Sequence, residues 1–457
     1  MGAEPRGAGR WMRESMPTQD APAQLPPEAR QAGEVRARWA WAEASVWTER
    51  MLTALEEGVK GGKWHSLIDK VYSLCNLRAG FARVKANRGA AGVDHQTIEM
   101  FEHRLEPNLE RLQQSLRNGT YRPSALRRVW IPKPGRPEKR PLGIPTVRDR
   151  VVQGALRNVL EPIFEREFAE HSYGFRPGRG CRDALRRVHK LLKAGHVYVV
   201  DADLQGYFDS IPHEQLLRRI RERVADGKVL ALVGALLQQE VLEAAQRWRP
   251  EEGTPQGAVI SPLLANIYLD PLDHVMAREG FEMVRYADDF VILCRTVQEA
   301  ERALRIVQRW AASAQLTLQP DKTSIVDESQ RGGFDFLGYH FERGYRWPSR
   351  KSVGKLKDAV RAKTRRTEGR SLDAIISDVN RTLRGWFAYF RYSHHTTFDR
   401  PDGWIRMRLP SILRKRTGGR GCGRGRDHQR WPNSFFAEHG LFSLMTAYET
   451  VRQSAQR

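Results

Sequence analysis

Tyr286-Ala287-Asp288-Asp289 sits between two largely apolar runs, Phe281 to Tyr286 and Phe290 to Cys294. That pattern predicts a tight β-hairpin with acids at its turn. Adjacent carboxylates flanked by buried strands repel each other unless a cation compensates. A third acid in similar surroundings lies upstream, in Val199-Val200-Asp201-Ala202-Asp203-Leu204. Three carboxylates converging from two strands can hold two Mg²⁺ ions, which can activate an attacking hydroxyl and stabilise a leaving pyrophosphate. This points to polymerase chemistry. The competing reading is that Asp288 and Asp289 only form a turn, which aspartate favours.

Charge points the same way. The chain has 457 residues, room for roughly three domains at ~150 residues each. Its net charge is +22, which suits a polyanionic partner, most simply nucleic acid. Residues 351–430 hold 21 Lys/Arg against 7 Asp/Glu, so most of the excess is there. Trp386, Phe387, Tyr389, Phe390, Tyr392, Trp404 and Trp431 are interleaved with those bases. Such a mixture suits phosphate contacts plus base stacking. Helical spacing of Trp386, Phe387 and Phe390 also fits a core, so aromatics are expected mostly inside and arginines mostly outside. The four cysteines, Cys75, Cys181, Cys294 and Cys422, form no CxxC pair and support neither a disulfide framework nor a zinc site. No apolar run of membrane-spanning length and no signal-peptide core occur, so a cytoplasmic location is expected.

Along the chain, residues 1–33 read as a disordered leader. Helical regions are expected from about Glu34 to Gly61 and from Trp64 to Lys85. Arg127 to Pro145 reads as strand, turn, strand, and Arg148 to Phe168 as a long helix. A Gly-rich basic loop, His171 to Gly180, precedes an amphipathic helix over Cys181–Lys193. Ser261 is expected to cap a helix running to about Met276, with Pro262 in its first turn. Phe334 to Phe341 alternates as one strand, and the chain from Val353 onwards reads helical and basic. Gly418 to Arg430 reads as a linker before a last helix from Gly440 to Val451. The order matches an α+β palm, with helices behind an antiparallel sheet and acids on its open face.

With these residues placed, the chain closely resembles group II intron reverse transcriptase/maturases over about residues 64–451. The motifs stand in the family's order: the loop around Arg88 to Asp94, Arg140-Pro141-Leu142-Gly143-Ile144-Pro145, Tyr173-Gly174-Phe175-Arg176-Pro177, the Asp203 strand, Gly253-Thr254-Pro255-Gln256-Gly257, the Tyr286 to Asp289 hairpin, and Phe336-Leu337-Gly338. The resemblance implies a right-hand polymerase fold, with fingers and palm in residues 34–349 and an α-helical thumb or maturase domain in 350–416. Residues 417–457 would be a basic linker and a short DNA-binding-like segment without an HNH endonuclease.

Residue by residue, the resemblance implies that Asp203, Asp288 and Asp289 are catalytic and hold two Mg²⁺ ions, with Mn²⁺ as a substitute. The backbone carbonyl of Leu204 would complete one metal site. Asp201 and Asp209 are lesser candidates, and Asp209 reads equally well as a cap or turn residue. Phe208 would exclude a ribose 2′-hydroxyl, with Tyr207 its competitor for that role. Lys133 and Arg140 would clamp the triphosphate. Arg176 would support the template or the fingers. Gln256 would pack near the templating pair, with Gly257 allowing close backbone approach. Lys322 would donate a proton to pyrophosphate or remain a surface lysine.

Implied partners are group II intron RNA, template RNA with a DNA primer or target DNA, and deoxynucleoside triphosphates; a homodimer is an allowed assembly and no membrane is implied. Competing readings are a splicing cofactor with an idle polymerase, a domesticated reverse transcriptase in phage defence or CRISPR spacer capture, and an RNA-dependent RNA polymerase.

Overall fold

The computed structural model describes residues 34–132, 139–421, 423 and 425–454. Lys133, Cys422 and the leader lie outside the described residues. Among the described residues eleven strands form three sheets. In chain order they are β1 Leu126–Pro132, β2 Lys139–Ile144, β3 Tyr198–Asp203, β4 Val241–Glu243, β5 Gln246–Trp248, β6 Glu282–Tyr286, β7 Asp289–Cys294, β8 Ser324–Asp327, β9 Phe334–Phe336, β10 Tyr339–Glu342 and β11 Tyr345–Pro348.

The central sheet has the order β6-β7-β3-β8 and is antiparallel throughout. Side chains alternate between its faces. Val200, Ala202, Phe290, Ile292 and Cys294 face the main core, with helices Ser261–Arg278 and Val297–Ser313 packed behind. Val199, Val284, Val291 and Leu293 face the other way and are also buried. They pack with helix Cys181–Lys193 and with Phe334, Phe336, Tyr339 and Phe341 of the small sheet β11-β10-β9. The expected open face is therefore largely covered, and the acids lie at its uncovered end. This cover was not legible because its aromatics come from far along the chain.

The other four-stranded sheet has the order β2-β1-β4-β5. Helix Val147–Glu165 runs through the core with nearly every residue buried, and Thr146 caps it by accepting from the Asp149 N–H. The two N-terminal helical regions are each broken. Helix occupies 34–38 and Glu49–Glu57, then Ile68–Val71 and Leu74–Asn87. Thr48 and Ser73 explain the restarts, because each side chain accepts from a backbone N–H of the following helix. Ser261 is not a cap. It is the first helical residue, and its hydroxyl donates to the Pro255 carbonyl at 2.9 Å, tying down the Pro255-Gln256-Gly257 loop.

Helices Arg350–Lys363, Leu372–Phe390 and Thr396–Arg416 form a third core. Phe436 and Leu444 are buried in that same core, and Tyr448 stacks on Phe398 with centroids 5.0 Å apart. Asp402 accepts from the backbone N–H groups of Leu444 and Met445, both at 3.0 Å. Packing therefore continues across the expected boundary at residue 416, and part of the expected linker, Arg426–Arg430, is helical. Phe387 and Phe390 are buried, whereas Arg365, Arg366, Arg381 and Arg384 are exposed. Tyr392 is an exposed exception among the aromatics. Among the described residues no helix is long and apolar enough to cross a membrane.

Candidate active site

The hairpin joins β6 to β7 through Ala287 and Asp288, because Tyr286 pairs with Asp289. Ala287 takes φ +60°, a left-handed conformation that disfavours an L-residue by roughly 1–2 kcal/mol. Such strain persists where surrounding contacts over-determine it. Those contacts come from Arg285, which is fully buried. Its guanidinium donates to Asp273 at 2.9 Å, to Asn266 Oδ1 at 2.9 Å and to the Ala287 carbonyl at 2.9 Å. Asn266 Nδ2 in turn donates to the Gly174 carbonyl at 2.8 Å. A Cβ on Gly174 would overlap the Ala287 backbone, so only glycine lets this loop lie against the acidic turn.

β3 carries Asp201 and Asp203 on one face. Asp203 stands opposite Asp289 in the β3–β7 ladder, with Asp288 the next residue at the turn. The electrostatics follow from this register. Burial, then the neighbouring carboxylates of Asp201, Asp288 and Asp203, push Asp289 up to about 7, against the pull of the Leu337 N–H. Burial, then Asp203 and Asp335, push Asp201 up to about 6. Asp288 is raised by burial and by Asp203, opposed by Arg140 and Arg285. Buried acids that repel each other favour a nearby cation, and oxygen donors suit hard divalent ions.

The cation in place is an ammonium. Gln319 N donates to the Asp203 carbonyl at 2.8 Å, and the following turn Pro320–Lys322 sets Lys322 Nζ directly on Asp203. Among the described residues no three His, Cys, Asp or Glu side chains are already gathered into a metal-holding group. The oxygen donors of these carboxylates suit a hard divalent ion.

The remaining expected residues divide as follows. Leu204 is buried and pairs with Leu318 just beyond β3. Tyr207 is buried and its hydroxyl donates to the Ala265 carbonyl at 2.6 Å. Phe208, half-buried, packs edge-on against Tyr207. Of the two rings, Tyr207 is therefore committed to the core. Arg140 is exposed on β2, and its charge reaches both Asp288 and Asp209. Gln256 donates to Asp209 at 2.8 Å. The helix after Asp209 starts behind Pro212 without a side-chain cap, so Asp209 serves Gln256 rather than a helix end. A Cβ on Gly257 would meet the Gly143 carbonyl at 2.8 Å, in keeping with the close approach expected there. Arg176 is turned inward. It is buried, grips Glu165 at 2.7–3.0 Å and donates to the carbonyls of Ala169 and Ser172. Its charge is spent holding the loop.

Sequence reasoning missed Arg285 and Asn266. The available signals were a charged residue inside a buried strand and a lone amide among Leu264, Ala265 and Ile267. It also missed the division of Phe334 to Phe341. Leu337 and Gly338 take φ +48° and +81° and turn the chain back between β9 and β10.

Residues 131–341 match the family described as reverse transcriptase (RNA-dependent DNA polymerase), and residues 353–431 match the group II intron maturase-specific domain. Protein YkfC of Escherichia coli is 34% identical over 291 residues, which cover 55% of this chain and 76% of YkfC. The chain belongs to the group II intron reverse transcriptase/maturase family. Group II intron-encoded protein LtrA of Lactococcus lactis subsp. cremoris is 39% identical over 195 residues, 42% of this chain, and the match spans about a third of LtrA's length, 32%. Among solved structures, a telomerase from Candida albicans in complex with telomeric RNA aligns at TM-score 0.41 and 12% identity, covering 66% of this chain and 62% of that one. A partial Cas6-RT-Cas1--Cas2 complex aligns at TM-score 0.36 and 25% identity, covering 54% and 41%. Neither structural likeness adds to the family assignment. This reverse transcriptase/maturase thus carries a polymerase domain followed by a maturase-specific domain, and polymerases of its family use divalent metal ions.

Proposed function

We propose that the chain is an RNA-directed DNA polymerase that also binds group II intron RNA to promote splicing and mobility by target-primed reverse transcription. The observation that supports this best is Asp203 facing Asp289 across one ladder with Asp288 at the adjoining turn. In this reading Asp203, Asp288, Asp289 and the Leu204 carbonyl hold two Mg²⁺ ions. Bound there, the ions would activate the primer hydroxyl and neutralise the leaving pyrophosphate.

The chain's own residues do the rest. Arg140, with Lys133 beyond the described residues, neutralises triphosphate charge. Phe208 lies under the incoming sugar and excludes a 2′-hydroxyl. Gln256, braced by Asp209, packs by the templating base. Lys322 offers an ammonium beside Asp203 to the departing phosphate. Fingers and palm occupy residues 34–349, and the exposed arginines of the maturase domain from 350 onwards contact intron RNA. Residues 417–457 contribute to target DNA contact.

Extension of a DNA primer on an RNA template, with and without Mg²⁺, tests the reading. Metal-dependent incorporation of deoxynucleotides in preference to ribonucleotides is expected. Intron RNA binding without any extension would leave only the splicing role.

A further inference from the structure

The acidic site carries a cation of its own, and the chain is folded to keep it there. Beyond β3 the backbone is zipped to the segment before β8. Gln205 N donates to the Thr317 carbonyl at 2.8 Å, Gln319 N donates to the Asp203 carbonyl at 2.8 Å, and Leu204 pairs with Leu318 between them. The turn Pro320–Lys322 then closes on Gln319. The Gln319 carbonyl accepts from the N–H of Lys322 at 3.2 Å, the N–H of Thr323 at 3.0 Å and the Thr323 hydroxyl at 2.9 Å. β8 follows at once, with Ser324 opposite Asp201. The backbone on both sides of Lys322 is therefore registered against β3, and its ammonium rests on the Asp203 carboxylate. Arg285, the buried cation beneath the turn, is paired with Asp273 instead.

The Lys322 and Asp203 side chains are 49% and 31% exposed. An ion pair this open to water contributes little net stability, so it exchanges readily. An ammonium and a hard divalent ion make rival claims on one carboxylate. The ammonium directs its N–H donors at the oxygen lone pairs, and a metal needs those lone pairs bare. The lysine charge also repels an approaching cation. We propose that Lys322 competes with the divalent ion for Asp203 and so sets the ion concentration at which the site fills. Released from Asp203, the ammonium stays at the edge of the site on its tethered turn, where it meets nucleotide phosphates. The proposal rests on the reading above of Asp203, Asp288 and Asp289 as the metal-holding acids.

The test is binding of Mn²⁺ alone to the full chain, without nucleotide or nucleic acid, at one pH and one ionic strength. The electron paramagnetic resonance signal of the free ion reports it. Lys322→Met, which keeps the stem and removes the charge, should bind Mn²⁺ roughly three- to tenfold more tightly than the parent. Lys322→Arg, which keeps a cation, should stay near parental affinity. In an Asp203→Asn background, which should itself bind Mn²⁺ more weakly, Lys322→Met should bring no gain. Parental or weaker affinity in Lys322→Met overturns the proposal. So does an equal gain in Lys322→Arg, or a gain that persists beside Asp203→Asn. Unchanged affinity in Asp203→Asn alone is a separate failure, because it removes Asp203 from the metal site and overturns the underlying reading as well.

Discussion

The Tyr389 hydroxyl donates to the Leu337 carbonyl at 2.8 Å, and the N–H of Leu337 itself draws the Asp289 carboxyl downward against its burial. One peptide turn thus joins the maturase helix Leu372–Phe390 to a proposed metal ligand. Ser349 N and Ser352 Oγ anchor the neighbouring Gly338 carbonyl at 2.8 and 2.9 Å. Tyr389→Phe removes one hydrogen bond, a net change of about 1 kcal/mol. It should lower kcat several-fold while leaving KM for deoxynucleotide and RNA affinity unchanged. Steady-state single-nucleotide incorporation measures this, and an unaltered kcat would show that the turn holds Asp289 without help from Tyr389.

Arg285 stabilises the acidic turn from beneath. Arg285→Leu leaves Asp273 buried and uncompensated, which should cost about 3–5 kcal/mol in denaturant unfolding. Replacing Asp273 by Leu as well should recover part of that loss. If the double variant is no more stable than Arg285→Leu, the ion pair is not the source of the effect.

Gly174 is expected to tolerate no side chain, because of Ala287. Gly174→Ala should cost roughly 1–3 kcal/mol through overpacking and should depress synthesis as well. Gly180→Ala, whose added Cβ meets nothing closer than 3.9 Å, is the control and should cost less. Equal thermal shifts for the two variants would contradict the close packing of loop on turn.

The proposed sugar gate separates Phe208 from its neighbour. Phe208→Ala should admit ribonucleotides. Tyr207→Phe should keep discrimination intact and lose about 1 kcal/mol of stability, since it removes only the buried bond to Ala265. Competition between deoxy- and ribonucleotides measures both, and relaxed selection in the Tyr207 variant alone would move the gate.

Acid repulsion at the site gives a sign for pH. Asp289 at about 7 and Asp201 at about 6 bind protons more tightly folded than unfolded. Each therefore opposes folding as pH rises from its unfolded value near 4 through its folded value. Metal-free Tm should fall over that interval. Added Mg²⁺, which binds the ionised carboxylates, should raise Tm more at about pH 8 than at about pH 5. An increment that does not depend on pH would detach the metal from these acids.

The local elements were readable where chemistry is local. The hairpin at Tyr286 to Asp289 follows from apolar runs broken by acids, and helix Cys181–Lys193 from its apolar period. The long-range features were not readable. Nothing near Val199 or Val291 indicates that Phe334, Phe336 and Tyr339 cover their face of the sheet. Phe334 to Phe341 alternates well enough to pass for one strand, and the turn that divides it is held from afar, by Tyr389 on the Leu337 carbonyl and by Ser349 and Ser352 on the Gly338 carbonyl. Arg176 looked available for nucleic acid because its loop is basic, yet Glu165, eleven residues earlier, claims it. Lys322 was placed by motif, but its direct contact with Asp203 depends on the Leu204–Leu318 bridge.

Single-turnover deoxynucleotide incorporation on an RNA template, measured beside RNA affinity for Asp203→Ala and Asp288→Ala, tests the joint role of these acids most directly. Incorporation should fall by about a thousandfold or more while RNA affinity stays at the parental value. Parental incorporation rates in either variant would contradict the account.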